Sequence, residues 1–268
     1  MTENYIIFTD LDGTLLDNNY SYREAIPALN EIKKRRIPLI LCSSKTRAEL
    51  EVYRKELKIN DPIIPENGGA IFIPRNYFNF KIEGKVVSDY IVIELGTEYE
   101  KLLSVLDEIK KRVNFRILNF GDMTPEEIAR DCNLDIESAK LAKQREYDEA
   151  FRIEGTEEQI NQVIKEIKSC NLNYTKGGRY FHIMGDNDKG NAVRILKELY
   201  LRRFPETKSI GLGDSENDIP MLRNVDIPVL IKKPSGGYAE FEHENLIRSK
   251  LVGPSGWNEV ILDLILSH

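Results

Sequence analysis

Tyr5-Ile6-Ile7-Phe8 is a continuous apolar run that stops at Thr9-Asp10-Leu11-Asp12-Gly13-Thr14. An unbroken run of this length suits a strand buried on both faces, as in a parallel sheet. Extended geometry puts Asp10 and Asp12 on one side of the strand at its carboxyl end, and Gly13 lets the chain turn. In open α/β sheets that end is where ligands bind. Two carboxylates so close repel, unless a cation lies between them or one holds a proton. A hard divalent cation with oxygen ligands resolves the conflict, and Mg2+ is the usual partner of carboxylates with phosphate. The plain alternative is an acidic turn after a strand.

Strands and helices then alternate. Ala25, Leu29 and Ile32 recur at helical spacing over 22–36, a buried strand follows over 37–42, and a second helix carries Leu50, Tyr53 and Leu57. Pro62-Ile63-Ile64-Pro65 leads through Glu66-Asn67-Gly68-Gly69 into a strand over 70–73. This order implies βαβ units and a mostly parallel sheet. From about residue 84 the pattern changes. A long strand over 86–94, a helix over 98–113, a short strand over 115–119, helices over 125–132 and 136–145, a strand over 150–153 and a helix over 157–168 follow. Strands over 172–175 and 179–184 then flank Gly177-Gly178, a hairpin signal. The expected fold is α/β: a Rossmann-like parallel-sheet core (1–83 and 187–268) with an inserted α+β module (84–186). The core resumes with a helix after Asp188-Lys189-Gly190, a strand over 209–213, an acidic turn, a strand over 228–231 and a helix over 260–266.

Three further groups fall at the ends of core strands. Ser43-Ser44-Lys45-Thr46 offers hydroxyls and backbone N–H groups at a helix start, either an anion site or ordinary capping. Lys189 opens a helix, where a cation opposes the dipole and needs a negative partner: a phosphate, or Asp186 and Asp188. Gly213-Asp214-Ser215-Glu216-Asn217-Asp218 gathers acidic and amide groups after a buried strand, as cation sites do; helix capping explains part of it.

Taken together and in this order, Asp10–Thr14, Ser43, Lys189 and Gly213–Asp218 resemble the haloacid dehalogenase superfamily of phosphatases, in the subgroup with a large α/β cap. A narrower resemblance, to mannosyl-3-phosphoglycerate phosphatases, rests on Ser43–Glu49, Glu66-Asn67-Gly68, Gln144–Glu149 and Gly177–His182. The wider subgroup more often carries Thr-Gly-Arg where this chain has Ser43-Ser44-Lys45. Ala150 departs from the narrower pattern, which has proline after the glutamate. The resemblance implies an Asp10 nucleophile, Asp12 as general acid and base, and Ser43 and Lys189 on the phosphoryl oxygens. It implies Mg2+ on Asp10, the Asp12 carbonyl and Asp214, with Asp218 behind them, and Ser44 and Asn67 near the phosphate. It further implies a cap that selects a sugar-glycerate phosphate and a place in compatible-solute synthesis. Arg179 and Arg145 are the candidate carboxylate binders, and His182 is a substrate-binding candidate or a packed or solvent-facing cap residue. Glu146 and Asp148 are sugar acceptors or surface charges, and Trp257 is core. The alternatives are another sugar-phosphate phosphatase, acting on glucosyl-3-phosphoglycerate or sucrose phosphate, a phosphomutase, or a noncatalytic phosphate- or metal-binding regulator.

Composition excludes other classes. A net charge of −6 without a basic run argues against nucleic acid. Cys42, Cys132 and Cys170 are scattered and odd in number, which argues against a disulfide framework and for a reduced cytoplasm. No signal peptide or apolar stretch of membrane-spanning length is expected. Abundant Lys, Glu and Ile hint at growth in heat.

Overall fold

The computed structural model describes residues 4–266. In chain order the core runs β1 (Tyr5–Thr9), α1 (Ile26–Arg35), β2 (Leu39–Cys42), α2 (Arg47–Glu56), β3 (Ile63–Ile64), β4 (Ala70–Pro74), β5 (Lys85–Val87) and β6 (Tyr90–Glu94). The insertion follows as α3 (Tyr99–Arg112), β7 (Arg116–Asn119), α4 (Pro125–Cys132), α5 (Ile136–Ala142), β8 (Asp148–Glu154), α6 (Glu157–Ser169), β9 (Asn173–Gly177) and β10 (Tyr180–Met184). The core is completed by α7 (Lys189–Arg203), β11 (Lys208–Gly213), α8 (Ile219–Arg223), β12 (Ile227–Lys232), β13 (Ile247–Val252) and α9 (Gly253–Leu266).

The core is one sheet in the order β13-β12-β11-β1-β2-β3-β4-β6-β5. Pairing is parallel from β13 to β3 and antiparallel beyond. β1 shows why the apolar run is unbroken. Tyr5 and Ile7 join the cluster under α1 and α9, while Ile6 and Phe8 join the opposite cluster under α7 and α8. Both faces of the strand are covered, so both parities must be apolar. The chain winds from β1 toward β3 and later returns to β11 on the other flank of β1. The end of β1 is therefore a switch point, where strand ends open a crevice.

The pairing corrects the boundary at 84. Residues 86–94, expected as one strand of the insertion, form the β5–β6 hairpin on the edge of the core sheet, where β6 pairs with β4. The insertion begins after Glu94. β13 and the first half of α9 escape the sequence pattern: Ile247–Val252 interrupts its apolar residues with Arg, Ser and Lys.

The insertion is a four-stranded antiparallel sheet, β7-β8-β10-β9. One face packs Phe151, Phe181 and Ile183 against Leu102, Leu106, Val163 and Ile167 of α3 and α6. The other face turns Ala150, Tyr180 and His182 toward the core and a cleft of about 410 Å3. Ala150 is paired directly with His182, so the position expected to be proline is a small residue in a sheet ladder beside the cleft.

Candidate active site

Three neighbouring strand ends bring the candidate residues together. Asp10 follows β1, Ser43 follows β2 and Asp214 follows β11. Lys189 opens α7, whose N-cap Asp188 accepts from the Asn191 N–H at 2.7 Å. The fully buried Lys189 ammonium donates to Asp10 Oδ1 and Asp218 Oδ1, each at 2.6 Å. Of the two sources of negative charge weighed for Lys189 within the chain, the partners are thus neither Asp186 nor Asp188. Burial opposes the lysine's charge, but Asp10 and Asp218 hold its proton above the usual lysine range.

Asp218 is used up by this arrangement. Its Oδ2 accepts the backbone N–H groups of Asp214 and Ser215 at 3.0 Å, so both its oxygens are engaged. Asp10, Asp214 and Asp218 bring one oxygen each to within 4.8 Å of one another. Burial pushes the Asp10 carboxyl well up, with Asp218 adding to it. The same two causes push Asp214 up to about 7. Such a cluster of hard oxygens, with charge that burial penalises, fits a divalent cation of the Mg2+ type; among the described residues Asp10 is held through Oδ1 alone, and Asp214 accepts only from the hydroxyls of Thr14 and Ser215, at 3.3 and 3.0 Å. Gly13 permits this packing: at φ +79°, it sits where a Cβ would lie 2.8 Å from Asp214 Oδ2.

The Asp12 carboxylate lies outside that cluster. Its side chain is 47% exposed at the cleft wall and pairs with the Lys45 ammonium at 3.0 Å. Ser43 is buried and its hydroxyl accepts from the Lys45 N–H at 3.3 Å; Ser44 lines the cleft. Behind Asp10, the buried Trp257 indole donates to Thr9 Oγ1 at 3.0 Å, so the expected core residue also braces the strand end.

The residues joining insertion and core form a second buried network. Glu66 receives the N–H groups of Glu146, Tyr147 and Asp148 at 2.7–3.0 Å. Asp148 accepts from the Asn67 amide at 2.8 Å and faces His182 Nδ1 at 3.0 Å. Arg145 Nε donates to Asp148 Oδ1 at 2.7 Å, and its Nη2 donates to the same oxygen and to the Ser44 carbonyl. Burial raises the Asp148 carboxyl, but Arg145 and His182 outweigh it and hold the group at about 2. Asn67 also accepts from Asn217 Nδ2 at 3.1 Å.

Two candidate substrate residues therefore have other work. The donors of Arg145 are engaged by protein, and Asn67 is a strut between the insertion and the acidic loop. His182 lines the cleft with its ring oriented by Asp148. Arg179 also lines it, half exposed, with its Nη2 3.8 Å from Asp131 Oδ2. Glu146, weighed as a sugar acceptor, pairs with Arg47 at 2.8 Å across the same junction. The roles of Lys45 and Glu66 were not legible. Their only signals were a lysine inside a possible anion site and a glutamate before Asn-Gly.

The profile of the haloacid dehalogenase-like hydrolases matches residues 7–235. A glucosyl-3-phosphoglycerate/mannosyl-3-phosphoglycerate phosphatase of Methanococcoides burtonii is 54% identical over 269 residues, covering 97% of each chain. A mannosyl-3-phosphoglycerate phosphatase of Pyrococcus furiosus is 38% identical over 243 residues, covering 90% of this chain and 93% of its own. Among solved structures, a Thermoplasma acidophilum protein superposes with a TM-score of 0.69 at 21% identity, covering 99% of this chain and 100% of its own, which speaks to the fold. No described helix is long and apolar enough to cross a membrane. The chain belongs to the haloacid dehalogenase-like hydrolases and, within them, to the phosphatase family of these relatives.

Proposed function

We propose that this chain hydrolyses the phosphate monoester of glycosyl-3-phosphoglycerates, mannosyl-3-phosphoglycerate foremost, with Mg2+ as cofactor. The observation that carries the reaction type is Asp10, fixed by Lys189 through one oxygen at the floor of a cleft roofed by the insertion. The sugar-glycerate substrate is read from the relatives' names. It accords with Arg179, a planar fork that lines the cleft half exposed and pairs with Asp131 at 3.8 Å, longer than a hydrogen bond.

In this reading the Asp10 oxygen not held by Lys189 attacks phosphorus as the bond to the glycerate oxygen breaks. Asp12 gives its proton to the departing alkoxide. The aspartyl phosphate is then opened by water, whose proton Asp12 accepts, and inorganic phosphate leaves with Asp10 restored. Lys189 and Ser43 sit where charge moves among the phosphoryl oxygens. Asp10, Asp214 and the Asp12 carbonyl would hold Mg2+, which when bound would neutralise phosphate charge so that an anionic nucleophile can approach. Asp218 orients Lys189 and the acidic turn. The insertion acts as a cap that excludes water and selects the substrate through Arg179 and His182.

The test is phosphate release from mannosyl- and glucosyl-3-phosphoglycerate beside sucrose 6-phosphate and mannose 6-phosphate, for wild type and Asp10→Asn. We expect kcat/KM to favour the glycosyl-phosphoglycerates by about a hundredfold or more, about 2.7 kcal/mol, and the variant to be inactive. Equal turnover of all four esters overturns the substrate assignment. Dependence on a bisphosphate activator would mark a mutase instead.

A further inference from the structure

Asp12 has to present one oxygen to the leaving group, yet it stands half exposed on the cleft wall, and among the described residues its carboxylate pairs with Lys45. An aspartate so placed is free to rotate, and proton transfer needs its oxygen within hydrogen-bond reach of the leaving atom. Lys45 is built for a fixed position. Its side chain is 8% exposed, its ammonium lies 3.6 Å from Glu49 Oε1 and 4.8 Å from the centre of the Tyr20 ring, and it reaches Asp12 Oδ2 at 3.0 Å. Glu49 is fixed in turn: its Oε2 takes the Thr46 N–H at 2.9 Å and the Thr46 hydroxyl at 3.1 Å, closing the cap of α2. A rigid relay thus runs from the start of α2 to the exposed carboxylate.

We propose that Lys45 is the positioning residue of the general acid: by holding Asp12 Oδ2, it aims the other oxygen at the leaving alkoxide. The inference rests on the hydrolase reading above. Asp10 already has its own cation in Lys189, so the two carboxylates of the motif are served by separate lysines from separate elements. Positioning of this kind matters in proportion to the need for a proton. A sugar or glycerate alkoxide needs one to leave; a nitrophenolate leaves without it.

The experiment compares Lys45→Met and Lys45→Arg with wild type, in Mg2+, on mannosyl-3-phosphoglycerate, mannose 6-phosphate and 4-nitrophenyl phosphate. The readout is kcat/KM, which reports the first phosphoryl transfer. We expect Lys45→Met to lose on the order of 100-fold on both alkyl esters and less than about threefold on the nitrophenyl ester, with Lys45→Arg restoring most of the loss. Ratios between esters in one preparation do not depend on the fraction folded. An equal loss on all three esters overturns the proposal, because the lysine then serves the fold or the phosphoryl group. A loss confined to mannosyl-3-phosphoglycerate overturns it too, because the lysine then binds the substrate's carboxylate. A wild type that cleaves none of the three overturns the hydrolase reading itself, and this inference falls with it.

Discussion

Asp148 has no exposed surface, and it is charged. An isolated buried carboxylate would be costly, so its environment has to repay the loss of water. Arg145, His182 and the Asn67 amide do so, and removing the charge strands a buried guanidinium. We expect Asp148→Asn to cost roughly 3 kcal/mol in urea denaturation at pH 7. The folded-state value of about 2 lies below the unfolded value of about 3.9. The stabilisation is therefore complete above pH 4 and is lost as pH falls through 2. The gap between wild type and variant should narrow over that window; a gap independent of pH would mean that packing, not charge, is at stake. From sequence Asp148 could equally be a surface charge, because its partners on β10, on the turn before β4 and in its own loop meet only through tertiary packing.

At the scale of elements, the site depends on where α7 begins. Gly68 has φ +84°, and a Cβ there would stand 2.2 Å from the Asp188 carbonyl, the residue that caps α7 and precedes Lys189. Gly68→Ala should cost roughly 2 kcal/mol and cut kcat at least tenfold by displacing the lysine. Gly236→Ala, at φ +85° with nothing within 4 Å, carries the backbone cost alone, roughly 1 kcal/mol, and should leave kcat intact. Equal effects would show that backbone strain rather than the clash is responsible. Much at this scale was legible. Buried strands announced themselves as unbroken apolar runs, and chemistry fell at their ends because the switch point of a parallel sheet collects it there. The β5–β6 hairpin was assigned to the wrong sheet because alternation in Val86–Glu94 reports a half-buried strand without naming its neighbour. Lys45 was seen but given no task, since its pairing with Asp12 requires the ends of β1 and β2 to be adjacent.

For the whole molecule, the proposed metal site predicts a coupling of metal to stability. Burial and mutual repulsion of Asp10, Asp214 and Asp218 weigh on the folded state, and a cation that binds only that state relieves them. At a hundredfold excess over Kd, Mg2+ should contribute about 2.7 kcal/mol and raise Tm by about 5 °C or more. Asp214→Asn should abolish the shift. Chelation should stop phosphate release and added Mg2+ restore it; turnover undiminished in chelator would refute the metal assignment.

The insertion is contiguous, whereas the sheet that holds the site is not. Asp10 and Lys189 are separated by 179 positions, and Thr14 and Asp214 by 200. During synthesis Asp10 therefore emerges well before Lys189, and β1 lacks its β11 neighbour until Lys208–Gly213 has been made. The inserted sheet needs no later residue and is free to form in the interval. Assembly of the proposed reaction centre then comes after the inserted sheet can form, and a chain cut before β11 is expected to keep that sheet without the centre.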